Sequence, residues 1–366
     1  MKIGLVGTRG IPARYGGFET FAEEISPLLA ANGIDITVQC DHDSYPLDEY
    51  KGVKLYFSSV TKSQKPLKYF YEGIKWGIRN NDVIIVVSTA ASLFYFHNFF
   101  KRRIILTNPD GLEHRRKKWS VAKKTYLRLS EIFAVRFSDY LIVDSDSIRK
   151  YFISTYKGIG RKIKLIEYGA YQNRYSDSEV LNKYGLELNC YYLVVCRLEP
   201  ENNLEMILNA YSDAATICPL VIAGNILNNN FVKSLVTRYS SARIKFIGGI
   251  YDRKELNALR FSCKAYIHGH SVGGTNPSLL EAMGSHNIIL AHDNEFNREV
   301  TLGNQLYFST SEQCRIRINE IELMAAKECE RFKELSYSMV AAKYNWDNIL
   351  KKYLDLLKEI SVNASE

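Results

Sequence analysis

Four segments of the sequence combine residue types that could do chemistry, and the most specific of them runs from His268 to Gly284. In it, Asn276 is a residue type that caps helices and Pro277 is one that opens them. The Gly273-Gly274 pair before them frees the backbone, so that amide N–H groups could point at an anion. Glu281 falls one turn inside the expected helix, where its carboxylate could accept hydrogen bonds from ribose hydroxyls. This segment predicts a nucleotide-binding site.

Two further segments place charged residues shortly after apolar runs. Arg197 follows the run Tyr191–Cys196, and a guanidinium there could hold a phosphate in bidentate fashion. The alternative for Arg197 is a surface ion pair. Asp110 and Glu113 follow an apolar run in the first half of the chain, where they could meet the hydroxyls of a ligand. Their alternative is a turn in which Asp110 caps a helix expected over 119–137.

The fourth segment is a glycine-rich loop over Gly7–Glu19. Gly4, Gly7 and Gly10 imitate the fingerprint of a dinucleotide-binding fold, with Asp41 in place of its ribose-binding acid, which would indicate a nicotinamide-dependent dehydrogenase. In that fold the helix opens at the glycines and holds pyrophosphate, whereas about seven residues intervene here before the helical pattern starts. A long loop with two arginines and a Gly-Gly pair better fits a loop that lines a substrate site.

The sequence gives no pattern of metal ligands. His268 and His270 could bind a metal, but no third ligand is placed beside them, so packed or capping histidines are the preferred interpretation. The seven cysteines form no CxxC pair and lack zinc-ligand spacing. Their odd number predicts reduced thiols in a cytoplasmic protein.

The elements that must position these segments form two α/β units. Continuous apolar runs predict buried strands at Lys2–Val6, Ile34–Cys40, Val83–Val87, Ile104–Thr107 and Tyr140–Val143, and then at Tyr191–Cys196, Leu220–Ala223, Ile244–Ile247, Ala265–His268 and Ile288–Ala291. Helical segments between the strands imply parallel sheets covered on both faces. Ligands bind just beyond the carboxyl ends of such strands, where the four segments lie.

The strand pattern weakens over 167–189, which predicts a linker between domains. A helical repeat of apolar residues from Trp346 to Ile360 predicts a closing helix that packs across the junction. We expect one domain over 1–172 and a second over 173–344, with residues 345–366 packing back on the first.

Composition fits two globular domains. The 366 residues are 46% apolar and 24% charged, which argues against disorder. No run reaches the roughly 18 uninterrupted apolar residues that indicate a transmembrane helix. A glycine loop follows the first strand at once, so no secretory signal peptide is expected and the predicted location is cytoplasmic.

The chain has a net charge of +8, and the excess of positive charge is confined to residues 1–170. Residues 1–170 hold 27 Lys and Arg against 17 Asp and Glu, whereas residues 171–366 hold 21 against 23. Residues 101–128 alone carry ten basic residues and two acidic ones, beside Phe99, Phe100 and Trp119. This combination predicts that 99–128 docks on an anionic membrane surface, at about 1 kcal/mol per cation. A solvated helix face is the alternative; nucleic acid is not expected as a partner, because no binding motif accompanies the charge.

Together these motifs resemble the retaining glycosyltransferases of the GT-B type, family 4. Gly7–Glu19 resembles the opening loop of a rhamnosyltransferase-like subgroup. The other matching stretches are Asp110–Glu113, Arg197–Asn203 and His270–Met283, and Trp346 matches the start of the closing helix. The resemblance covers nearly the whole chain. It implies an α/β, GT-B fold with two Rossmann-like domains facing across a cleft and a C-terminal helix crossing back.

The resemblance also implies the reaction and its residues. A hexosyl group would pass with retention from a nucleotide-sugar on the C-terminal domain to an acceptor on the N-terminal domain, without metal or other cofactor. The subgroup implies dTDP-rhamnose as donor and, together with the basic segment, a lipid-linked saccharide as acceptor in cell-surface polysaccharide synthesis at the inner face of the membrane. The implied catalytic residues are Asp110, Arg197 and Glu281. The implied donor-binding residues are Arg197, Asn225, Gly273, Gly274, Thr275, Asn276 and Glu281. The implied acceptor-binding residues are Arg9, Arg14, Gly16, Gly17, Glu19, Asp110, Glu113 and Arg115.

Two positions depart from the wider family. Its usual pair of acids survives only as Glu281, because Gly273 stands at the first position. Its usual Arg and Lys pair keeps Arg197, but Asn202 stands where the Lys is expected. Backbone amides of the Gly273–Asn276 segment and an arginine of the first loop are the expected replacements. A non-catalytic sugar-nucleotide-binding protein and a dehydrogenase are the two alternatives to the enzyme.

Overall fold

A computed structural model describes residues 1–14, 16–109, 111, 113–115, 119–226 and 229–363 of the chain. The chain divides into two compact units, each with its own parallel sheet. The N-terminal unit comprises Met1–Tyr168 and the described C-terminal residues from Trp346 onward. The C-terminal unit comprises Gly169–Asn345.

The N-terminal unit is built on an eight-stranded sheet. Its strands are β1 (Lys2–Val6), β2 (Asp35–Cys40), β3 (Glu49–Tyr50), β4 (Val53–Phe57), β5 (Val83–Val87), β6 (Ile104–Asn108), β7 (Tyr140–Val143) and β8 (Ile163–Leu165). They lie in the order β3-β4-β2-β1-β5-β6-β7-β8, and only β3 runs antiparallel to its neighbour. The α-helices between them are α1 (Gly17–Ala31), α2 (Pro66–Asn80), α3 (Val121–Phe137) and α4 (Asp146–Thr155). Shorter 3-10 helices cover Thr89–Asn98, Glu113–Arg115 and Gly160–Lys162.

The C-terminal unit repeats this plan on six parallel strands. The strands are β9 (Tyr192–Val195), β10 (Leu220–Ala223), β11 (Ile244–Gly248), β12 (Ala265–His268), β13 (Ile289–His292) and β14 (Leu306–Phe308), in the order β11-β10-β9-β12-β13-β14. The helices are α5 (Ser178–Tyr184), α6 (Leu204–Ser212), α7 (Asn230–Tyr239), α8 (Arg253–Ser262), α9 (Pro277–Gly284), α10 (Glu295–Thr301), α11 (Ser311–Leu323) and α12 (Ala326–Met339). A 3-10 turn at Pro200–Asn202 and a π-helical segment at Val340–Tyr344 complete the unit.

The final helix, α13 (Trp346–Asn363), belongs to the N-terminal unit. Its Tyr353 is buried against the ring of Phe21 in α1, with ring centroids 5.8 Å apart. Lys352 forms an ion pair with the buried Glu167. Burial of each large apolar side chain contributes about 1.5–3 kcal/mol, so this packing holds α13 against α1 in the N-terminal unit.

The two-sheet α/β architecture predicted from the apolar runs is confirmed. All ten predicted strands are present, and β5, with every residue buried, shows why: a parallel strand covered on both faces needs an uninterrupted apolar sequence. The strands that the pattern missed are the short β3, β8 and β14, and β4, which alternates exposed and buried residues. The helix expected over 119–137 begins at Val121, and its cap is Ser120 rather than Asp110. No helix among the described residues is long and apolar enough to cross a bilayer.

In both sheets the strand order changes direction next to the first strand of the unit. In the N-terminal unit the strand order reverses between β1 and β5, and in the C-terminal unit it reverses between β9 and β12. Open α/β sheets bind ligands beyond the carboxyl ends of the strands at this reversal. The loops that follow β1, β9 and β12 are three of the four segments that the sequence singled out.

Candidate functional site

The glycine loop after β1 is held from beneath by buried polar groups. The Gly7 amide donates to Gln39 Oε1 at 3.0 Å, and the Tyr69 hydroxyl donates to the Thr8 carbonyl at 2.6 Å. Gly7 and Gly10 have φ values of +97° and +107°, which favour glycine. A Cβ on Gly10 would lie 2.6–2.8 Å from atoms of Cys40. The backbone conformation of this part of the loop is therefore fixed by hydrogen bonds and close packing.

Glu19 connects this loop to the start of α1. Its carboxylate is buried, and Oε1 accepts a hydrogen bond from the Arg9 amide at 2.8 Å. The helix itself begins at Gly17, capped by Gly16, with Arg14 exposed just before it. The helix begins at Gly17 rather than at the Gly7–Gly10 turn, whereas in a dinucleotide fingerprint the helix opens at the glycines.

Asp41, which imitated a ribose-binding acid in the sequence, is hydrogen-bonded to neighbouring backbone groups. Its Oδ1 accepts from the Lys62 amide at 2.6 Å, and its backbone amide donates to the Arg9 carbonyl at 2.8 Å. Burial raises the pKa of Asp41 more than the Lys62 hydrogen bond and the nearby Arg9 lower it. The residue ties β2 to the glycine loop.

The segment after β6 is described only in part. Asp110 lies outside the described residues, and so do Arg116, Lys117 and Lys118. Glu113 accepts a hydrogen bond from Trp119 Nε1 at 3.1 Å, in the short 3-10 helix that also contains the backbone of Arg115.

His114 in the same helix leads to a buried cluster that sequence reasoning missed. Its Nδ1 lies 3.1 Å from the carboxylate of Glu131, which is almost fully buried in α3. The hydroxyls of Tyr151 and Tyr156 donate to the same carboxylate at 2.8 and 2.6 Å, and Arg128 Nη1 donates at 2.6 Å. Such concentrated hydrogen bonding fixes the segment after β6 to α3. The spacing of these residues along the chain gave no signal of it.

Arg197 follows β9 as the sequence predicts, with its side chain 42% exposed. Its Nη1 lies 3.7 Å from Glu199 Oε1, a long ion pair in which the Arg197 side chain stays partly exposed. Asn202, which replaces the expected lysine, is buried and donates through Nδ2 to the Arg197 carbonyl at 2.7 Å. It therefore shapes the loop that presents Arg197 rather than supplying a second charge.

The loop after β12 is hydrogen-bonded to this Arg197 loop. Asn203 Nδ2 donates to the Gly269 carbonyl at 2.9 Å, and Ser271 donates to the Glu201 carbonyl through Oγ at 2.8 Å and through its amide at 3.2 Å. The two loops at the strand reversal of the C-terminal unit therefore form one surface.

The predicted cap at the start of α9 is confirmed, with one correction. Asn276 caps the helix and Pro277 opens it, but Asn276 Oδ1 accepts the Ser278 amide at 3.0 Å. Since proline has no N–H and the amides of Ser278, Leu279 and Leu280 are hydrogen-bonded to Asn276, backbone donors for an anion would have to come from the preceding Gly273–Asn276 segment. Gly273 has φ +138°, and a Cβ built on it meets no described atom within 4 Å.

Glu281 lies one turn into α9 and pairs with Arg260 of α8. Arg260 is only 3% exposed, whereas Glu281 is 30% exposed, so the guanidinium sits behind the carboxylate and orients it. Sequence reasoning missed Arg260 because it lies in a charge-rich helix that looks solvated. Asn225, expected beside the donor, exchanges hydrogen bonds with the exposed Tyr251 at 2.6 and 2.8 Å.

The histidines before the helix are packed against each other. His268 is buried and stacks on His270, with centroids 4.3 Å apart. Burial lowers the pKa of His268 well below its ordinary value, and His270 and His292 lower it further. Within the described part of the chain, the group with suitable metal-ligand spacing is His286 with Glu330 and Glu334. The Arg174 guanidinium already contacts Glu334 there at 2.5 Å, so this group is an ion-pair cluster.

Comparison with protein-family models gives one match for each unit. Residues 1–171 match a domain of unknown function, DUF1972, and residues 182–339 match the glycosyl transferases group 1 family. No curated protein sequence matches the chain.

Solved structures match over the full length. Sucrose-phosphate synthase from Thermosynechococcus elongatus is 15% identical, with a TM-score of 0.79 and coverage of 99% of each chain. Anabaena HepE in complex with UDP and glucose is 19% identical, with a TM-score of 0.79, over 98% of this chain and 100% of that one. A UDP-forming trehalose-phosphate synthase from Burkholderia vietnamiensis is 13% identical, with a TM-score of 0.73, over 100% and 99%. At these identities the likeness establishes the fold. The chain has the two-domain GT-B fold, and residues 182–339 of its C-terminal unit match the glycosyl transferases group 1 family.

Proposed function

We propose that the protein is a retaining glycosyltransferase that moves a hexosyl group from a nucleotide-sugar, bound by the C-terminal unit, to an acceptor bound by the N-terminal unit. One observation carries the proposal. At the strand reversal of a glycosyl transferases group 1 domain, the exposed Arg197 guanidinium and the open Gly273 loop belong to two hydrogen-bonded loops. A guanidinium beside a glycine-rich turn that can present backbone amides suits a diphosphate.

In the proposed reaction, the bond between the anomeric carbon and the diphosphate oxygen breaks, and the electron pair leaves with the diphosphate. The acceptor hydroxyl oxygen bonds to the same face of the anomeric carbon, and its proton passes to the departing phosphate oxygen. Arg197 stabilises the growing negative charge, and such preorganised charge is usually the largest catalytic contribution. Asp110 and Glu113 position the acceptor or the donor sugar. No covalent intermediate is assigned to any side chain.

The remaining donor contacts follow from the same loops. Gly273, Gly274 and Thr275 offer backbone amides to the diphosphate, while Asn276 holds the start of α9 in place. Glu281, oriented by Arg260, accepts hydrogen bonds from the ribose, and Asn225 contributes at the end of β10. Transfer is proposed to need no divalent metal, so activity should persist in EDTA.

On the acceptor side we assign Arg9, Arg14, Gly16, Gly17 and Arg115 to direct contacts. Glu19 acts through the loop, because its carboxylate accepts the Arg9 amide. The sugar donor is proposed to be dTDP-rhamnose, supported by the subgroup resemblance of the Gly7–Glu19 loop. Two of the structural neighbours, the HepE complex with UDP and glucose and the UDP-forming trehalose-phosphate synthase, involve a nucleoside diphosphate, which supports a nucleotide-sugar as donor.

The test is a transfer assay with dTDP-rhamnose and a panel of UDP- and GDP-sugars, with polyprenyl-diphosphate-linked saccharides as acceptors. We expect a glycosylated lipid and released nucleoside diphosphate, both detected by mass spectrometry. A non-catalytic binding protein is the second candidate, favoured by the buried Asn202 and by Gly273 at the positions of the missing cation and acid. Thermal stabilisation by a nucleotide-sugar without any product would establish that candidate instead.

We further propose that the lipid-linked acceptor is reached from an anionic membrane surface on the cytoplasmic face. Phe99 is 78% exposed and Phe100 is 90% exposed, and Lys101 and Arg102 follow them in exposed positions. Exposed aromatic rings beside cations are suited to the headgroup region of a bilayer. We use the name aromatic-basic edge for Phe99–Arg102.

Liposome flotation tests this edge with vesicles of phosphatidylcholine and phosphatidylglycerol. Phe99→Ser/Phe100→Ser and Lys101→Glu/Arg102→Glu should each reduce binding at least fivefold. Ile217→Ser is the matched control, since Ile217 is 89% exposed but lies in the C-terminal unit, away from the aromatic-basic edge in sequence. Equal flotation of all four proteins would contradict membrane docking through this edge.

A further inference from the structure

A cavity of about 960 Å³ opens in the N-terminal unit, separate from the glycine turn itself. It lies beside the carboxyl ends of β2 and β4 and is lined by residues 42–46, Asp48, residues 56–59, Glu72 and Arg14. Its volume lies near the upper end of small-molecule sites, larger than one sugar ring requires. None of the proposed donor or catalytic residues lines it. Arg14 alone is shared with the proposed acceptor residues.

The charges of the cavity favour a hydroxyl-bearing ligand over an anionic one. Asp43, Asp48 and Glu72 line it, against the single guanidinium of Arg14 and the imidazole of His42. Burial would raise the pKa of Glu72, but hydrogen bonds from Ser59 and the nearby Lys68 together lower it, so Glu72 is ionised. Ionised carboxylates accept hydrogen bonds from sugar hydroxyls and repel phosphate.

Two aromatic rings of the cavity wall are held in fixed positions by neighbouring rings. Tyr56 stacks in parallel on Trp76, with centroids 4.4 Å apart and planes 4° apart. Tyr45 packs edge-to-face against Tyr50 at 5.6 Å. Rings that are already ordered lose little entropy when a ligand packs on them. Carboxylates next to rigid aromatic rings match a ligand that combines hydroxyls with apolar C–H faces.

We propose that this cavity binds neutral sugar units of the acceptor that are remote from the hydroxyl that reacts. The proposal rests on the proposed function, because it assigns the cavity to the acceptor of that reaction. Arg14 makes the connection, since it both lines the cavity and belongs to the Gly7–Glu19 loop. A site of this size exceeds what one sugar ring requires, so it would select the acceptor by its saccharide and not only by its lipid.

Saturation-transfer NMR on the full chain, with no donor present, tests the cavity directly. The probes are neutral trisaccharides of glucose, N-acetylglucosamine, mannose and rhamnose, with glucose 6-phosphate and trilysine as charged counterparts. We expect at least one neutral trisaccharide to bind and the phosphate not to bind. Tyr45→Ala and Asp48→Asn should each weaken that binding at least fivefold, whereas Tyr45→Phe should retain it.

The matched controls are Asp213→Asn and Tyr175→Ala, which alter an exposed acid and an exposed ring outside the cavity. Thermal unfolding of every variant identifies any that fails to fold. Equal binding by wild type and cavity variants, binding of none of the trisaccharides, or preferential binding of trilysine would each overturn the proposal. Because binding is measured without donor, a chain that binds trisaccharide through Tyr45 and Asp48 but transfers no sugar would refute only the proposed function.

Discussion

The two sheets share one strand order at their centres but use their reversal points differently. After β1, the glycine loop is hydrogen-bonded to Gln39, Tyr69 and Glu19, and Gly7 and Gly10 are closely surrounded. After β9 and β12, the loops are joined to each other, while Arg197 and Gly273 stay open to solvent. The N-terminal loop is thus a rigid wall, and the C-terminal loops present a charge and free backbone.

In both units the strand order determines where a ligand site lies. The packing of the loops at that place determines which side chains and backbone amides the site can offer to a ligand. A wall held from beneath can exclude water and shape a saccharide, but it offers few free donors. An exposed guanidinium beside an open glycine can follow the charge that develops on a leaving group. The net charge is distributed differently from the site cation Arg197. The excess of positive charge lies in the N-terminal half, which contains the aromatic-basic edge.

The strongest challenge to this comparison is Arg197→Ala. If the guanidinium stabilises the departing diphosphate, turnover should fall about 10²-fold or more, as for the loss of one preorganised donor. Steady-state rates at saturating donor and acceptor measure this. Arg315→Ala is the control, because Arg315 also pairs with a nearby glutamate on the C-terminal unit but lies on α11. Near-normal turnover of Arg197→Ala would remove this residue from the mechanism.

A pair of glycine substitutions tests the contrast between closed and open loops. Gly10→Ala puts a Cβ against Cys40 at a positive φ and should cost about 3 kcal/mol of unfolding free energy. Gly273→Ala also has a positive φ but meets no described atom within 4 Å, so it should cost only about 1 kcal/mol. Urea unfolding of both variants compares them directly. Equal losses would mean that the two loops are packed alike.

Substitution of two glutamates, one in each unit, should affect the KM values of different substrates. Glu19→Ala removes the acceptor of the Arg9 amide and should raise the KM for the acceptor about tenfold, the effect of about 1.4 kcal/mol. Glu281→Ala should raise the KM for the donor by a similar factor. It also leaves the buried Arg260 unpaired, at about 1–3 kcal/mol of stability.

Initial-rate kinetics with each substrate varied in turn give both constants. Glu19→Gln and Glu281→Gln serve as controls, because they keep an acceptor oxygen and most of the shape. If Glu19→Ala changed the donor constant instead, the division of substrates between the units would be wrong. An unchanged donor constant for Glu281→Ala would leave Glu281 with a structural role only.

The elements of the fold that the sequence predicted are those with an unambiguous local pattern. Buried parallel strands such as β5 need uninterrupted apolar runs, and the Asn276 and Pro277 start of α9 needs residues of particular types. Since β3 has only two residues and β4 alternates in exposure, neither shows such a run.

Side chains whose roles depend on distant partners could not be predicted. Glu131 and Arg260 lie in helices rich in charge, and nothing local shows that they are buried. Asn202 looked like a lost cation, and only the fold shows that its amide supports the Arg197 loop. The sequence also does not show that the Asn276 side chain accepts the Ser278 amide, which leaves that amide engaged at the start of α9.

His268 gives the smallest effect and a further distinction between the two units. Neither ring nitrogen has a hydrogen-bond partner among the residues that the structure describes, and burial lowers the pKa of the ring well below its ordinary value. The folded state therefore binds fewer protons than the unfolded state below about pH 6.5, and stability is lost as the pH falls through that value. This one group should reduce the unfolding free energy by about 1 kcal/mol between pH 7 and pH 5.5.

His268→Phe should abolish that part of the pH dependence and leave stability at neutral pH unchanged or higher, because two unpaired buried nitrogens are removed. Urea unfolding across this pH range measures it. A slope as steep in His268→Phe as in the wild type would mean that groups other than His268 carry the acid sensitivity.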